Sequence, residues 1–244
     1  MGNIIRTQNK ANKTMRKFNL LKKYFYECFS LFDMIHFNSQ VSQNEYHKFI
    51  SPQNECVIPI SHRGIKDCRK NKSFDKKVLR FAFIGNETIY KGLPMLLNVL
   101  RSLDSNKQKW QLDVYGGHVG KENDIPVEYR GRYNNEMLDT IYNSMDLLIV
   151  PSVWKETFSL VTLEALSYGV PVLVSDNVGA KILVNEYDSR FVYHGKEELK
   201  KIICLILSHK EILVEYNKKI VEKQWHYSMR SHTKEIIELV YKLK

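Results

Sequence analysis

The segment Asp146-Leu-Leu-Ile-Val150-Pro151-Ser-Val-Trp-Lys-Glu156-Thr-Phe-Ser-Leu-Val-Thr-Leu-Glu164-Ala-Leu-Ser-Tyr-Gly169-Val-Pro171-Val-Leu-Val-Ser175 reads as one strand–loop–helix–strand unit. A buried-type strand runs to Val150 and is closed by Pro151. Pro-Ser at its end and the later Thr-Phe-Ser argue for a loop over 151–159. Ser159 is the residue type expected at a helix N-cap, and Gly169 stops the helix that follows at 160–168. A second apolar strand occupies 171–175.

The same alternation extends in both directions. Val78–Ile84 is a strand ending at Gly85, followed by a helix at 92–103. Trp110–Tyr115 is a strand ending at Gly116-Gly117, and Val127–Arg130 one ending at Gly131. Helices are expected at 134–145, 179–186, 195–208, 211–223 and 228–243, with a strand at 190–193. Strands alternating with helices give βαβ units, hence an α/β fold with a Rossmann-like parallel sheet and flanking helices. Ligands of such open sheets sit beyond the carboxyl ends of the strands, where Gly85, Gly116, Gly131 and Pro151 fall. Ahead of this body, residues 14–32 carry Phe18, Leu21, Phe25, Phe29 and Phe32 at helical spacing. The pattern fits a helix packed on a sheet better than one lying on a membrane surface. A short strand at 33–39, a helix at 42–50 and a strand-like Cys56–Ile60 complete a small N-terminal α/β stub. The expected divisions are therefore 1–62 for the stub, 63–77 for a polar, basic linker, 78–222 for the α/β body and 223–244 for a C-terminal helix.

The chain has 244 residues, 43% hydrophobic and 26% charged, with a net charge of +10. These are globular values, and the charge suits an anionic partner. Its four cysteines, Cys28, Cys56, Cys68 and Cys204, show no Cys-x-x-Cys spacing. That argues against a disulfide framework or zinc site and for a reducing cytoplasm. No apolar run reaches the roughly 18–20 residues that span a bilayer. Residues 1–17 lack the apolar stretch of a secretory signal. Met1-Gly2 opens like a myristoylation site, but Arg6 stands where that motif wants Ser or Thr. Residues 1–26 hold Arg6, Lys10, Lys13, Arg16, Lys17, Lys22 and Lys23 without an acid, which leaves peripheral contact with an acidic membrane open. Neither basic tract supplies the aromatic-interleaved fold of a nucleic-acid binder.

Two motifs carry chemistry. In Gly85-Asn86-Glu-Thr-Ile-Tyr-Lys91-Gly92, a glycine ends a strand and a Lys-Gly pair opens a helix. The helix N-terminus offers free N–H groups and partial positive charge to an anion, and Lys91 adds a full charge. It is neither a Walker A loop nor Gly-x-Gly-x-x-Gly. In the second motif, Glu156 precedes the helix and Glu164 lies on its second turn, with the N–H groups of about Leu160 to Thr162 between them. Carboxylates accept paired hydrogen bonds from vicinal diols. A carboxylate on either side of a diphosphate site suits a ligand with sugar hydroxyls at both ends, which describes a nucleotide sugar.

Glu156 to Glu164 resembles the Glu-x7-Glu motif of the family-4 retaining glycosyltransferases of the GT-B fold. Pro-Ser before it, Glu-Ala-Leu within it and Gly-Val-Pro-Val after it match as well, and residues 78–208 resemble that family's donor domain throughout. The resemblance implies that Lys91 neutralises the donor diphosphate, Glu164 holds the nucleotide ribose and Glu156 contacts the transferred sugar. Glu156 and Lys91 are then the catalytic pair. Main-chain groups at Phe158, Ser159, Leu160 and Val161 would bind phosphate and sugar. Arg130, Gly131 and Tyr133 occupy the station of the base, and Gly85 and Asn86 line the phosphates. The resemblance implies no metal and no cofactor, with a nucleotide diphosphate sugar as donor and a saccharide or lipid-linked acceptor. Three positions depart from the pattern. Asn86 replaces a common Arg on the diphosphate, Ser159 replaces a common Gly, and Arg63-Gly64 replaces a common Asn-Gly. Residues 24–65 resemble only the last helix–strand–helix and crossover of the acceptor domain. A hexosyltransferase of cell-surface polysaccharide synthesis, at the cytoplasmic face, is therefore expected. The alternative is a non-catalytic nucleotide-sugar-binding subunit or one that needs an acceptor-domain protein partner, or else a truncated, inactive product.

Overall fold

In the computed structural model, residues 2–103 and 109–242 are described, with side chains described over 14–103 and 109–239. The side chains of Arg6, Lys10 and Lys13, and the last residue of the helix expected at 228–243, lie outside the described residues.

The body is a seven-stranded sheet built from β3 (Leu79–Ile84), β4 (Trp110–Tyr115), β5 (Val119–Lys121), β6 (Val127–Gly131), β7 (Leu147–Val150), β8 (Val172–Ser175) and β9 (Val192–Tyr193). Their order is β5-β6-β4-β3-β7-β8-β9, parallel except for the antiparallel β5. The six parallel strands follow the doubly wound order in which the chain reverses direction between its first and fourth strands, here β3 and β7. β7 and β8 are buried at every position, as continuous apolar runs covered on both faces must be.

Helices α3 (Leu93–Arg101), α4 (Leu138–Ser144), α5 (Leu160–Ser167), α6 (Lys181–Asn185), α7 (Gly195–Ser208) and α8 (Glu211–Glu222) flank the sheet, and α9 (Met229–Lys242) follows. α3 buries Leu93, Leu96, Leu97, Val99 and Leu100. Strand β5 was not expected from the sequence. Its Val-Gly-Lys carries no apolar alternation because it is an exposed edge paired only to β6, where polar residues discourage further pairing.

The stretch 63–77 forms no helix or strand, yet it is strapped to the body. Ile65 and Phe74 are buried. Cys68 N donates to Ser167 O at 2.8 Å. Asn217 accepts from Lys72 N and donates to Lys70 O and Gly169 O. The Arg69 guanidinium lies over the Trp225 ring.

Ahead of the strap, α1 (Gly2–Ser30) and α2 (Gln40–Tyr46) accompany a two-stranded parallel sheet of β1 (Ile35–Phe37) and β2 (Glu55–Val57). The expectation that the aromatic stripe packs on a sheet is not met. Phe18, Leu21, Phe25 and Phe32 are 50%, 54%, 48% and 58% exposed. Two three-residue strands are too narrow to cover a helix of this length. The stripe instead lines an open groove with Tyr46, Phe49 and Ile50, touched by Tyr46 against Phe29 and by Lys22 over Phe49.

At the reversal point, Gly92 has φ +79°, and a Cβ placed there would lie 1.8 Å from the Pro151 carbonyl oxygen. Gly92→Ala therefore combines a disfavoured backbone with a clash against main chain. It is expected to cost roughly 3 kcal/mol or more of folding stability, as measured by urea unfolding.

Candidate functional site

The loops leaving β3 and β7 meet at the reversal point. A single turn of 3₁₀ helix, Ile89–Lys91, carries Lys91 over the mouth of β7. The Lys91 ammonium lies 2.6 Å from Glu156 Oε1, and Glu156 Oε2 accepts from the Ser152 hydroxyl. Both charged side chains are partly shielded, at 37% and 17% exposure. Main-chain bonds fix the carboxylate's loop to the one after β8. Glu156 N donates to Asn177 O, Gly179 N to Glu156 O and Ala180 N to Phe158 O, at 2.8–2.9 Å. Phe158 is buried beneath. Gly179 sits so close to Thr157 O and Ser39 Oγ that a Cβ would overlap both. From the stub, the Ser39 hydroxyl donates to Thr157 O.

Ser159 begins α5 with φ +111°, the one positive φ at a non-glycine among the described residues. The expectation of a side-chain N-cap is corrected here. Its hydroxyl makes no capping bond and instead accepts from Thr162 Oγ1 at 3.1 Å. Its φ lies far from the extended backbone that a capping residue adopts. The N–H groups of Leu160 and Val161 have no partner within the helix, as at any helix start. They lie along the chain between the two glutamates.

Glu164, on the second turn of α5, is 15% exposed. Its Oε2 accepts from the Tyr142 hydroxyl at 2.5 Å, and its Oε1 lies 3.2 Å from His62 Nε2. Burial, then the Glu164 carboxylate, raise the Tyr133 phenol above its ordinary range, so Tyr133 belongs to the same neighbourhood. Tyr133 packs edge-on against Tyr115.

Gly85, Gly116 and Gly131 lie side by side at the strand ends. Gly85 N donates to Tyr115 O, and Gly116 N to Gly131 O. A Cβ on Gly116 would meet Gly85 O at 2.6 Å. Asn86 accepts from the Thr88 hydroxyl. Lys91 and Glu156 thus pair at the loop leading into α5, whose first turn carries Leu160 and Val161 and whose second turn carries Glu164 in a cluster of its own with Tyr142 and His62. Arg130 joins neither group. Its guanidinium pairs with Asp113 at 2.9 Å and Glu128 at 2.8 Å.

Several participants were missed from sequence. Ser152, Tyr142 and His62 hold the two glutamates, and the Glu87 carboxylate accepts from His118 N across the adjoining loop. Tyr90 and Trp154 stand exposed beside Lys91 and Glu156, edge to face at 5.5 Å. Except for Ser152, which shares the loop of Glu156, these contacts join separate elements of the chain and have no spacing signature. Among the described residues, no group of three or more His, Cys, Asp and Glu side chains could hold a metal ion. No described helix is long and apolar enough to cross a membrane.

The sequence profile described as "Glycosyl transferases group 1" matches residues 65–224, which include most of the strap, the whole seven-stranded sheet and both glutamates. The chain belongs to the group 1 glycosyl transferases. Among relatives, it is 30% identical over 151 residues to an uncharacterized 41.2 kDa protein in the cps region of Klebsiella pneumoniae, covering 59% of this chain and 40% of that protein. It is 25% identical over 194 residues to the lipopolysaccharide 1,2-N-acetylglucosaminetransferase of Salmonella typhimurium, covering 72% and 48%. The group 1 chain thus spans less than half the length of these relatives. Its fold is shared with Anabaena HepE in complex with UDP and glucose, at TM-score 0.73, 17% identity and 90% and 66% coverage of the two chains. Sucrose-phosphate synthase from Thermosynechococcus elongatus gives 0.70 and 17%, with 91% and 61% covered.

In this group 1 chain the strain at Ser159 has a measurable sign. A β-branched side chain tolerates positive φ worst and glycine best. Ser159→Val is expected to cost about 2–3 kcal/mol, and Ser159→Gly to be neutral or stabilising by up to about 1 kcal/mol. Guanidinium unfolding of the two variants checks the order.

Proposed function

We propose that this chain is the donor-binding half of a glycosyltransferase. It moves a hexose from a nucleotide diphosphate sugar to a saccharide or lipid-linked acceptor, with retention of anomeric configuration and without a metal ion. The observation that carries this reading is the Lys91–Glu156 pair beside the first turn of α5, with Glu164 one helical turn beyond. On this reading the diphosphate takes the Lys91 ammonium and the α5 N–H groups. The ribose diol takes Glu164, and the hexose hydroxyls take Glu156. Cleavage of the bond between anomeric carbon and phosphate oxygen leaves the electron pair on the diphosphate. Lys91 and the helix N-terminus stabilise that charge where it develops. The acceptor hydroxyl forms the new bond to the anomeric carbon and passes its proton to the departing diphosphate oxygen. The neighbours' names agree with the substrate class: HepE was solved with UDP-glucose, and two relatives belong to capsule-region and lipopolysaccharide proteins. We place the reaction in cell-surface polysaccharide synthesis at the cytoplasmic face.

Calorimetric titration of UDP, GDP and ADP tests the donor reading. Binding of the preferred nucleotide is expected to persist in EDTA and to weaken in Lys91→Ala. Glu164→Ala is expected to lower affinity for the free nucleotide about ten-fold, more than Glu156→Ala, because a charge-assisted hydrogen bond contributes roughly 1.5–3 kcal/mol. Equal affinities for wild type and Glu164→Ala contradict it.

A second reading is a donor-binding subunit that works only with a separate acceptor-domain protein. It is favoured by the open aromatic groove of α1, since exposed apolar patches mark partner or membrane sites. Positioning of an acceptor can lower a barrier by about 7–11 kcal/mol. The purified chain is therefore expected to bind donor yet transfer little sugar to a broad acceptor mixture. Robust multiple turnover by the chain alone overturns this reading.

A further inference from the structure

We infer that His62 and Tyr142 are positioning residues, which together aim the Glu164 carboxylate at the vicinal diol of a nucleotide ribose. The inference rests on the reading of Glu164 as the ribose carboxylate and extends it to two residues that no sequence motif marks.

A carboxylate has two oxygens with two lone pairs each. The Tyr142 hydroxyl donates to Glu164 Oε2 at 2.5 Å. The His62 ring is also fixed in its donor role. Gly64 N donates to His62 Nδ1 at 3.1 Å, so Nδ1 carries the lone pair and the ring proton sits on Nε2, 3.2 Å from Glu164 Oε1. One donor occupies each oxygen, and one lone pair on each remains. Two free lone pairs on adjacent oxygens match two adjacent hydroxyls.

The donors are rigidly mounted. Tyr142 is fully buried on α4. Its ring stacks on Tyr168 at 5.1 Å and 18°, and the Tyr168 hydroxyl donates to Asp139. Burial, then Glu164, hold the Tyr142 phenol well above its ordinary pKa, so it stays protonated and can only donate to the carboxylate. His62 arrives from the segment between stub and body, 102 residues before Glu164. It is anchored there by Ser61, whose hydroxyl donates to Tyr227 O at 2.7 Å. His62 is 36% exposed and Glu164 15%, so the pair is not sealed from solvent. Without these donors the glutamate side chain recovers its rotamers and loses its preorganised geometry.

The test compares, by calorimetry on the full chain, the tightest-binding of UDP, GDP and ADP with its 2′,3′-dideoxy analogue. Wild type is expected to prefer the ribose form about ten-fold or more. Tyr142→Phe, which keeps the stacked ring, and His62→Ala are each expected to weaken the ribose form about three- to ten-fold. Binding of the dideoxy form is expected to stay as in wild type. His62→Gln, which can still donate, is expected to restore part of the loss. A merely structural role weakens both nucleotides alike and overturns the inference, as does unchanged discrimination in both variants. A wild-type chain that binds the two forms equally removes the ribose role of Glu164 itself, a different failure from loss of the positioning role alone.

Discussion

The close approach of Gly92 to the Pro151 carbonyl is the constraint on which the site depends. Strands β3 and β7 are neighbours in the sheet but far apart in sequence, and each ends in a loop that turns outward. Only a residue without a side chain lets the start of α3 settle against the end of β7. That contact brings the turn carrying Lys91 over the loop carrying Glu156. The two charges then meet at 2.6 Å although they stand 65 residues apart. Any side chain at Gly92 pushes the two loops apart and disturbs the seating that brings the two charges together.

A second layer of constraint keeps Glu156 in place from beneath. The loop 156–158 is bonded like a short strand to 177–180, with an isolated parallel bridge between Glu156 and Val178. Gly179 is the counterpart of Gly92 on this side, since it admits no side chain under Thr157 and Ser39. The strained φ of Ser159 is the price of turning from this rigid loop into α5 within one residue. Backbone strain persists only where the surroundings over-determine it, and the buried Phe158 on one side and the buried Thr162 on the other do so here.

How much of this was legible in the sequence depended on burial. Strands β7 and β8 are covered on both faces and β3 and β4 nearly so, and their largely apolar sequences announced them to within a residue or two. The starts of α3, α5, α7 and α8 were equally plain, whereas α1, expected at 14–32, runs over Gly2–Ser30 and α2, expected at 42–50, over Gln40–Tyr46. β5 escaped because an exposed edge has no apolar pattern to read. The aromatic stripe of α1 was read correctly as one face of a helix. What that face meets could not be read, because periodicity records a face and not its cover. The lysine and the two glutamates were visible from their motifs and their place after strands. Their distant holders were not, since Tyr142 and His62 reach Glu164 from 22 and 102 residues away, a closeness only the fold creates. Arg130 shows the reverse case: its position in the chain suggested a ligand, but Asp113 and Glu128 on the sheet surface compete for it at hydrogen-bond distance.

The resting ion pair also bears on which ligands the site favours, on the reading proposed for it. An anion that draws Lys91 away strands a carboxylate that is largely shielded from water, and an unpaired shielded charge costs several kcal/mol. Sulfate, which has no hydrogen-bond donor, offers Glu156 nothing in return. A ligand that carries phosphate and hydroxyl groups in one molecule takes the ammonium with the first and satisfies the carboxylate with the second. The same exchange that costs a bare anion affinity then favours a sugar diphosphate. The pair works as a filter for ligands that combine the two chemistries, without any further contact to the sugar.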